Sequence, residues 1–185
     1  QSRGDALFLA EAPAVVPDDL DPEFDAMGIR RLYVAAASLT GGGQVRPFPP
    51  PPTPIRRPVV LVLMGEPGAA SGLKGGQPEL LGEAWANGVQ KLVADAKAWA
   101  QVSGVHLHIF PEPSDALALG KALSAMKSKL GGLTVSVTLR AGAPPETFPE
   151  ADPFVLLHLP VIDPERRRDV ARPLGRGHLE VAEVV

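Results

Sequence analysis

The sequence predicts an α/β fold built on a mostly parallel β-sheet, and one continuous stretch carries this prediction. Residues 105–110 form a short apolar run, and residues 133–139 alternate apolar and polar side chains, as strands do. Between them, residues 114–130 place apolar side chains at helical spacing until Gly131 and Gly132 end the run. A strand, a helix and a strand within about 35 residues form a βαβ unit, whose two strands run parallel.

The rest of the chain alternates in the same way. Asp-Pro-Glu triplets at 21–23 and 163–165 start short helices with proline in the first turn, and the longest predicted helix covers residues 78–102. The other predicted strands are residues 6–10, 32–37, 59–64, 154–159 and 178–181. This pattern predicts a compact or incomplete TIM-like (β/α) barrel, since a complete barrel takes about 250 residues. An open doubly wound sheet is the alternative.

The 185 residues fit a single α/β domain, 1–185, with a proline-rich strap at residues 41–58 where no regular structure is expected. Four consecutive prolines at 49–52 favour an extended, stiff segment. This segment is either a rigid strap that replaces a crossover helix or a ligand for a protein partner through residues 46–58.

The composition excludes several classes of function. The chain has no cysteine, which excludes disulfides, thiol catalysis and cysteine-ligated metals. The net charge is −3 and the one dense basic run, 166–168, has no aromatic neighbour, which argues against nucleic acid binding. No apolar run reaches the roughly 18 residues of a membrane helix. Because the chain starts at Gln1 rather than Met, we expect a periplasmic or secreted protein whose signal peptide has been removed.

Carboxylates follow three predicted strands, at the edge of the sheet where ligands collect in either architecture. Glu11, Glu66 and Glu112 each come just after an apolar run, and a proline follows one residue later, or two residues later for Glu11. Glycoside hydrolysis uses two carboxyl groups, about 5 Å apart in retaining enzymes and farther apart in inverting ones. We expect Glu66 and Glu112 to be the catalytic pair, although glutamates at strand ends also face water or cap helices. The side chains predicted to bind substrate are Glu11, Trp85, Arg140 and His108.

Two further features have a structural and a functional interpretation. Trp85 lies on the apolar face of the predicted 78–102 helix, where core packing is the alternative to ligand stacking. The glycine-rich segment 65–76 lies between a strand and a helix, as phosphate-binding loops do. However, Lys74 is followed by glycine instead of serine or threonine, and no GxGxxG motif follows the strand. We therefore expect a flexible loop and no cofactor.

Histidines form the second candidate site. His106 and His108 alternate along a predicted strand, so both imidazoles should face the same side of the sheet. With His158 from another predicted strand, they would supply the three imidazoles of a catalytic zinc site. Alternatively, these side chains fill polar layers within the barrel.

The segment 104–142 resembles part of an uncharacterised bacterial family of exported (β/α)-barrel proteins that is distantly similar to glycoside hydrolases. Ser114, the helix after it and the 133–139 strand match the family pattern, whereas His108 and Phe110 occupy the positions of an Asp-x-Asp pair. The resemblance implies a barrel with an extracytoplasmic, glycan-related role. It also implies that any chemistry of the aspartate pair is lost here or is carried by Glu112.

We therefore expect an extracytoplasmic barrel-like domain that binds a carbohydrate ligand, and hydrolyses it if Glu66 and Glu112 pair, at the carboxyl rim of its strands. Two alternatives remain open at this point. One is a non-catalytic module for protein association. The other is a zinc-dependent hydrolase that uses His106, His108 and His158.

Overall fold

The computed structural model describes residues 5–9, 21–110, 113–138 and 179–182, which form one β-sheet with helices packed on it. The described strands are β1 (Asp5–Leu9), β2 (Ile29–Leu39), β3 (Val45–Pro47), β4 (Ile55–Gly65), β5 (Ala100–His108), β6 (Thr134–Val137) and β7 (Leu179–Ala182). The described α-helices are α1 (Asp21–Ala26), α2 (Pro78–Ala96) and α3 (Ala116–Leu130), and short 3₁₀ helices cover Ala69–Gly75 and Pro113–Asp115.

The strand order confirms the predicted α/β fold with a mostly parallel sheet. Within the described residues, the strands lie in the order β6-β5-β4-β2-β1-β7, and β3 pairs with β2. All pairs among β1, β2, β4, β5 and β6 are parallel, whereas β3 and β7 pair antiparallel. Parallel strands that follow each other in the chain are therefore neighbours in the sheet, as in a (β/α) barrel. In the part of the chain that the structure describes, β6 and β7 lie at opposite edges and the sheet stays open.

The two faces of the sheet carry different layers. One face packs against all three described α-helices and forms the main core, to which Phe24, Trp85 and Leu123 contribute from α1, α2 and α3. The other face, called the inner face below, holds a smaller apolar cluster of Ala6, Phe8, Tyr33, Val60 and Val62. Helices that cover one face only, as among the described residues, are typical of a (β/α) barrel, whose other face lines the interior.

The strap prediction is wrong for part of residues 41–58. Val45–Pro47 forms β3, and β4 begins at Ile55 instead of Val59. Proline lacks the amide proton of a sheet hydrogen bond, but Pro58 lies where the pairing of β4 with β5 shifts register, so the strand accommodates it. Arg57 also anchors this end of β4, since its guanidinium donates to the carbonyl of Ile29 at 2.6 Å.

The prolines between β3 and β4 extend along the surface without helix or strand. Pro49, Pro50 and Pro52 are exposed. Nothing in the described residues identifies a protein partner for residues 46–58, and that contact stays a prediction.

The long predicted helix ends earlier than residue 102. It stops at Ala96, a turn covers residues 97–99, and β5 begins at Ala100. The carbonyl of Trp99 accepts a hydrogen bond of 2.7 Å from the Ile55 amide at the start of β4. The apolar spacing predicted that residues 97–102 belong to the helix. Instead, residues 100–102 form the start of β5, because pairing with β4 outweighs the local helical preference.

The glycine-rich segment 65–76 is more ordered than predicted. Most of it is the 3₁₀ helix Ala69–Gly75, which packs against the turn after β2. A Cβ atom on Gly72 would overlap the carbonyl of Gly41, so two backbones meet directly at this point.

The structure contains two further predicted elements, and three others lie outside the described residues. The helix at 21–28 is confirmed by α1 and by the positive φ of Gly28, and the last predicted strand is confirmed as β7, at the edge beside β1. The predicted 140–152 loop, 154–159 strand and 163–175 helix lie outside the described residues. None of the helices among the described residues is long and apolar enough to cross a membrane.

Candidate functional site

Glu66 lies at the carboxyl rim of the sheet, directly after β4. Its backbone amide donates to the Leu39 carbonyl at 2.9 Å, which fixes the chain beside the end of β2. The hydroxyl of Ser38 donates to Oε1 of Glu66 at 2.6 Å. Because Ser38 and Met64 are register partners of β2 and β4, and Glu66 lies two residues beyond Met64, the carboxylate belongs to the inner side of the rim.

Arg46 completes this polar group from β3. Its Nη1 atom lies 3.3 Å from Oε1 and 3.4 Å from Oε2 of Glu66, and its Nη2 donates to Oε1 of Gln44 at 3.0 Å. The Arg46 side chain is 60% exposed and that of Glu66 is 32% exposed. At this exposure both side chains are accessible to a ligand. An ion pair so open to solvent contributes only about 0–1 kcal/mol to the stability of the fold.

His108 and Phe110 form the neighbouring part of the rim, at the end of β5. The His108 imidazole is half-buried, and Phe110 is 45% exposed. Their ring centroids are 4.8 Å apart at an interplanar angle of 80°, an edge-to-face contact. A Cβ atom on Gly65 would lie 2.7 Å from Cγ2 of Ile109, so the ends of β4 and β5 touch. Glu66 and Phe110 come directly after these two residues, so both lie at the carboxyl rim.

A hydrogen-bonded layer lies beneath the rim on the inner face. Nδ1 of His106 is 2.9 Å from Oγ of Ser136, and Nε2 of His106 is 2.9 Å from Oγ1 of Thr138. The same Thr138 hydroxyl lies 3.0 Å from Nδ1 of His108. Tyr33 borders the layer, with its ring centroid 5.5 Å from that of His106. Side-chain hydrogen bonds thus connect the buried Ser136 hydroxyl to the His108 imidazole at the rim.

Strand register produces this layer. In β5, alternation directs His106 and His108 to one face, and in β6 it directs Ser136 to the same face, followed by Thr138. His106 pairs directly with Ser136 across the two strands. The hydroxyls therefore stand opposite the imidazoles, where each buried ring nitrogen finds a partner.

Burial sets the protonation of the layer. Burial, with a smaller contribution from His108, lowers the pKa of His106 from 6.5 to about 3, so its ring is neutral at physiological pH. Burial also raises the pKa of the Tyr33 phenol, against the smaller opposing effects of Arg31 and Ser136. At neutral pH the inner layer therefore contains an uncharged imidazole and an uncharged phenol.

Aromatic contacts hold the layer from the side of β1 and β2. The ring centroids of Phe8 and Tyr33 are 6.3 Å apart, and those of Tyr33 and His106 are 5.5 Å apart. Phe8 also approaches His108, with centroids 5.5 Å apart. A column of rings therefore extends from the buried part of the inner face to Phe110 at the rim.

The structure brings three of the predicted site residues to the inner face and separates a fourth. Glu66, His106 and His108 share the inner side of β4 and β5. Trp85 packs in the main core on the opposite face, fully buried, and its indole N–H donates to the Thr40 carbonyl at 3.2 Å. It has no surface left for a ligand, so its assignment to substrate binding is corrected in favour of core packing. Glu11, Glu112, Arg140 and His158 lie outside the described residues.

The zinc hypothesis stays a prediction, because its third ligand, His158, lies outside the described residues. The rings of His106 and His108 have centroids 6.3 Å apart. Within the described residues, no group of three or more histidine, aspartate or glutamate side chains is close enough to hold a metal ion. Both nitrogens of His106 already lie 2.9 Å from a hydroxyl, so a metal there would have to displace a hydrogen bond.

Sequence reasoning missed the hydroxyls and the arginine of the site. The polar residues that alternate with apolar ones in 133–139 were a usable signal, because alternation directs Ser136 and Thr138 to one face. Arg46 left no comparable signal, since it lies in the strap that was predicted to lack a strand.

The comparisons with known proteins found similar solved structures but no related sequence family. No protein-family model and no curated protein matches the chain. A chitinase from Chromobacterium violaceum ATCC 12472 has a similar structure, with a TM-score of 0.53 and 11% identity over 74% of this chain and 45% of the chitinase. The spore cortex-lytic enzyme SleL of Bacillus cereus gives a TM-score of 0.48 and 14% identity over 73% of this chain and 34% of SleL.

The likeness to the chitinase confirms the expected resemblance of the fold to that of glycoside hydrolases. The chain spans less than half the length of the chitinase that it matches. At 11% identity the comparison shows the fold alone, and the chemistry has to be argued from the rim residues.

Proposed function

We propose that this domain binds a carbohydrate at the carboxyl rim of its sheet. The position of Glu66 carries this proposal: it is a partly exposed carboxylate, on the inner side of the rim, held by Ser38 and Arg46. In (β/α) barrels, ligands bind at this end of the strands. A carboxylate beside a guanidinium offers both acceptors and donors to the neighbouring hydroxyl groups of a sugar.

The shared fold suggests the first ligands to test. A chitinase has a similar structure at a TM-score of 0.53, so chitin oligosaccharides are suitable probes. Export to a compartment that contains such polymers belongs to the same proposal.

Hydrolysis would require more than the described rim provides. Glycosidases use two carboxyl groups about 5–10 Å apart, one of which has to donate a proton. Glu66 accepts hydrogen bonds from Ser38 and Arg46 at its carboxylate oxygens, an arrangement that suits a base or a binding group. Glu112 is the proposed partner from sequence, and binding without hydrolysis is the form of the proposal that the described residues support.

Calorimetric titration of the chain with short chitin oligosaccharides tests this function. We expect Glu66→Gln to weaken binding by about tenfold, equivalent to about 1.4 kcal/mol, because it removes the negative charge. Glu79→Gln is the matched control, since Glu79 is an exposed glutamate on α2 that also pairs with one cation, Lys121. Release of reducing ends in the same samples measures hydrolysis. Equal affinities of Glu66→Gln and the unchanged chain would contradict a rim site at Glu66.

A further inference from the structure

We infer that Phe110 is the platform on which one uncharged sugar ring stacks, and that His108 and Thr138 position this platform. The inference rests on the proposed carbohydrate binding and specifies which surface recognises the ring. Phe110 occupies a position at which the family that this segment resembles has an acidic residue.

Phe110 is exposed where its neighbours are buried. Leu107 and Ile109 on the same segment are completely or almost completely buried, whereas Phe110 is 45% exposed. Alternation along β5 assigns Phe110 to the same side as His106 and His108, at the rim of the inner face. A large apolar ring at the site where ligands collect, with polar groups beside it, is a typical part of a small-molecule site.

The ring of Phe110 packs against His108, which restricts its orientation. The edge-to-face contact with His108, at 4.8 Å between centroids, restricts the tilt of the phenyl ring. His108 is itself fixed by the hydrogen bond between its Nδ1 and Oγ1 of Thr138. Thr138 is completely buried, and its hydroxyl also bonds to His106. The hydroxyl is therefore fixed in position and restricts rotation of the His108 ring. Such support lowers the entropy that binding would cost and favours a stacking role.

The charges near Phe110 favour an uncharged sugar over an acidic one. The face of a phenyl ring carries negative potential, which attracts the C–H groups of a pyranose and disfavours an anion. Arg46 compensates the charge of Glu66, so the pair is neutral overall and suited to hydroxyl groups.

Substitution of Phe110 gives the direct test, with affinity for short chitin oligosaccharides as the measurement. We expect Phe110→Ala to weaken binding at least tenfold and Phe110→Trp to retain or strengthen it, because tryptophan keeps a flat ring. Leu117→Ala is the control for loss of an exposed apolar side chain, since Leu117 is 73% exposed on α3. Unchanged affinity in Phe110→Ala, while the original chain binds, overturns the platform and leaves the proposed function intact. Absence of any oligosaccharide binding by the original chain overturns both.

The positioning role of Thr138 has its own test. Thr138→Val keeps the shape of the side chain but removes the hydroxyl, so we expect affinity to fall severalfold and the nitrogen NMR signals of His108 to move. Thr138→Ser restores the hydroxyl and should restore both. Ser103→Ala on β5, which removes a hydroxyl bonded only to the Val59 carbonyl, controls for lost stability. Normal affinity and unmoved His108 signals in Thr138→Val would overturn the positioning role.

Discussion

Oγ1 of Thr138 lies 2.9 Å from Nε2 of His106, and both side chains are completely buried. The same oxygen lies 3.0 Å from Nδ1 of His108. A hydroxyl has one proton to donate, so when it donates to one imidazole it must accept from the other. The tautomers of the two histidines are therefore linked through a single threonine, which ties the buried layer to the rim.

The buried imidazole makes stability depend on pH. The folded state takes up a proton at His106 only near pH 3, whereas the unfolded chain takes it up near pH 6.5. The unfolded state thus binds more protons in this window, and the free energy of unfolding falls as the pH falls from 6.5 towards 3. We expect a slope from this residue of up to about 1.4 kcal/mol per pH unit, measured by urea unfolding at several pH values.

His106→Gln isolates this contribution. Glutamine offers a donor and an acceptor like the neutral imidazole but does not titrate. The variant should therefore lose stability less steeply than the original chain between pH 6.5 and 4.5, by about 2–3 kcal/mol over the interval. Carboxylates titrate in both proteins, so their effect cancels in the difference. Parallel curves for the two proteins would show that His106 is protonated while folded.

The core βαβ unit was predictable because its signals are local. Apolar side chains recur along α3 at helical spacing, and Gly131, with a φ of 63°, ends the helix as glycine readily does. Alternation along β5 likewise placed His106 and His108 on one face. These patterns can be recognised in the local sequence, without knowing which other segments of the chain pack beside it.

Features that depend on which strands pair, and in which register, could not be predicted from local sequence patterns. β3 has three residues, including Pro47, and exists because β2 offers it a partner. Ala100 and its neighbours form β5 instead of more α2 because β4 pairs with them. The facing of His106 and Ser136 depends on the register of β5 against β6, which no local pattern encodes. The site therefore emerges from contacts between distant segments.

Gly82 permits the close approach of α2 and α3, and its replacement by alanine should destabilise the fold. A Cβ atom there would overlap the carbonyl of Ala122 on α3. Glycine to alanine inside a helix normally stabilises by about 1 kcal/mol, whereas here we expect a loss of about 1–3 kcal/mol from overpacking. Thermal or urea unfolding of Gly82→Ala measures the sign. Lys91→Ala, at an exposed position of α2, is the control and should change little.

Asp115 is a buried carboxylate that forms an ion pair with Lys74. The residue is 7% exposed, its Oδ2 has no hydrogen-bond partner, and Nζ of Lys74 lies 3.7 Å from that oxygen. We expect Lys74→Met to destabilise the chain by about 1 kcal/mol, a value reduced by the exposure of the lysine. A double-mutant cycle with Asp115→Asn measures the coupling by urea unfolding.

The exposed pair of Lys129 and Glu83 provides the comparison for that cycle. Its two side chains lie 3.2 Å apart near the surface, so we expect a coupling below about 0.5 kcal/mol. A coupling for Lys74 and Asp115 no larger than this would contradict a role for Lys74 in holding the buried charge.

Ser136 is a hydrogen-bond partner of the buried His106 imidazole, so its removal should cost more than that of a hydroxyl bonded to a single carbonyl. Ser136→Ala leaves Nδ1 of His106 without its partner at 2.9 Å and also removes the hydrogen bond that the Ser136 hydroxyl donates to the Val105 carbonyl at 3.4 Å. Because both groups are buried, we expect a loss of about 1–3 kcal/mol in urea unfolding. Ser103→Ala, which breaks a single bond to the Val59 carbonyl in the same sheet, should cost about 1 kcal/mol or less. Equal losses in the two variants would mean that Ser136 does not support the layer beneath the rim.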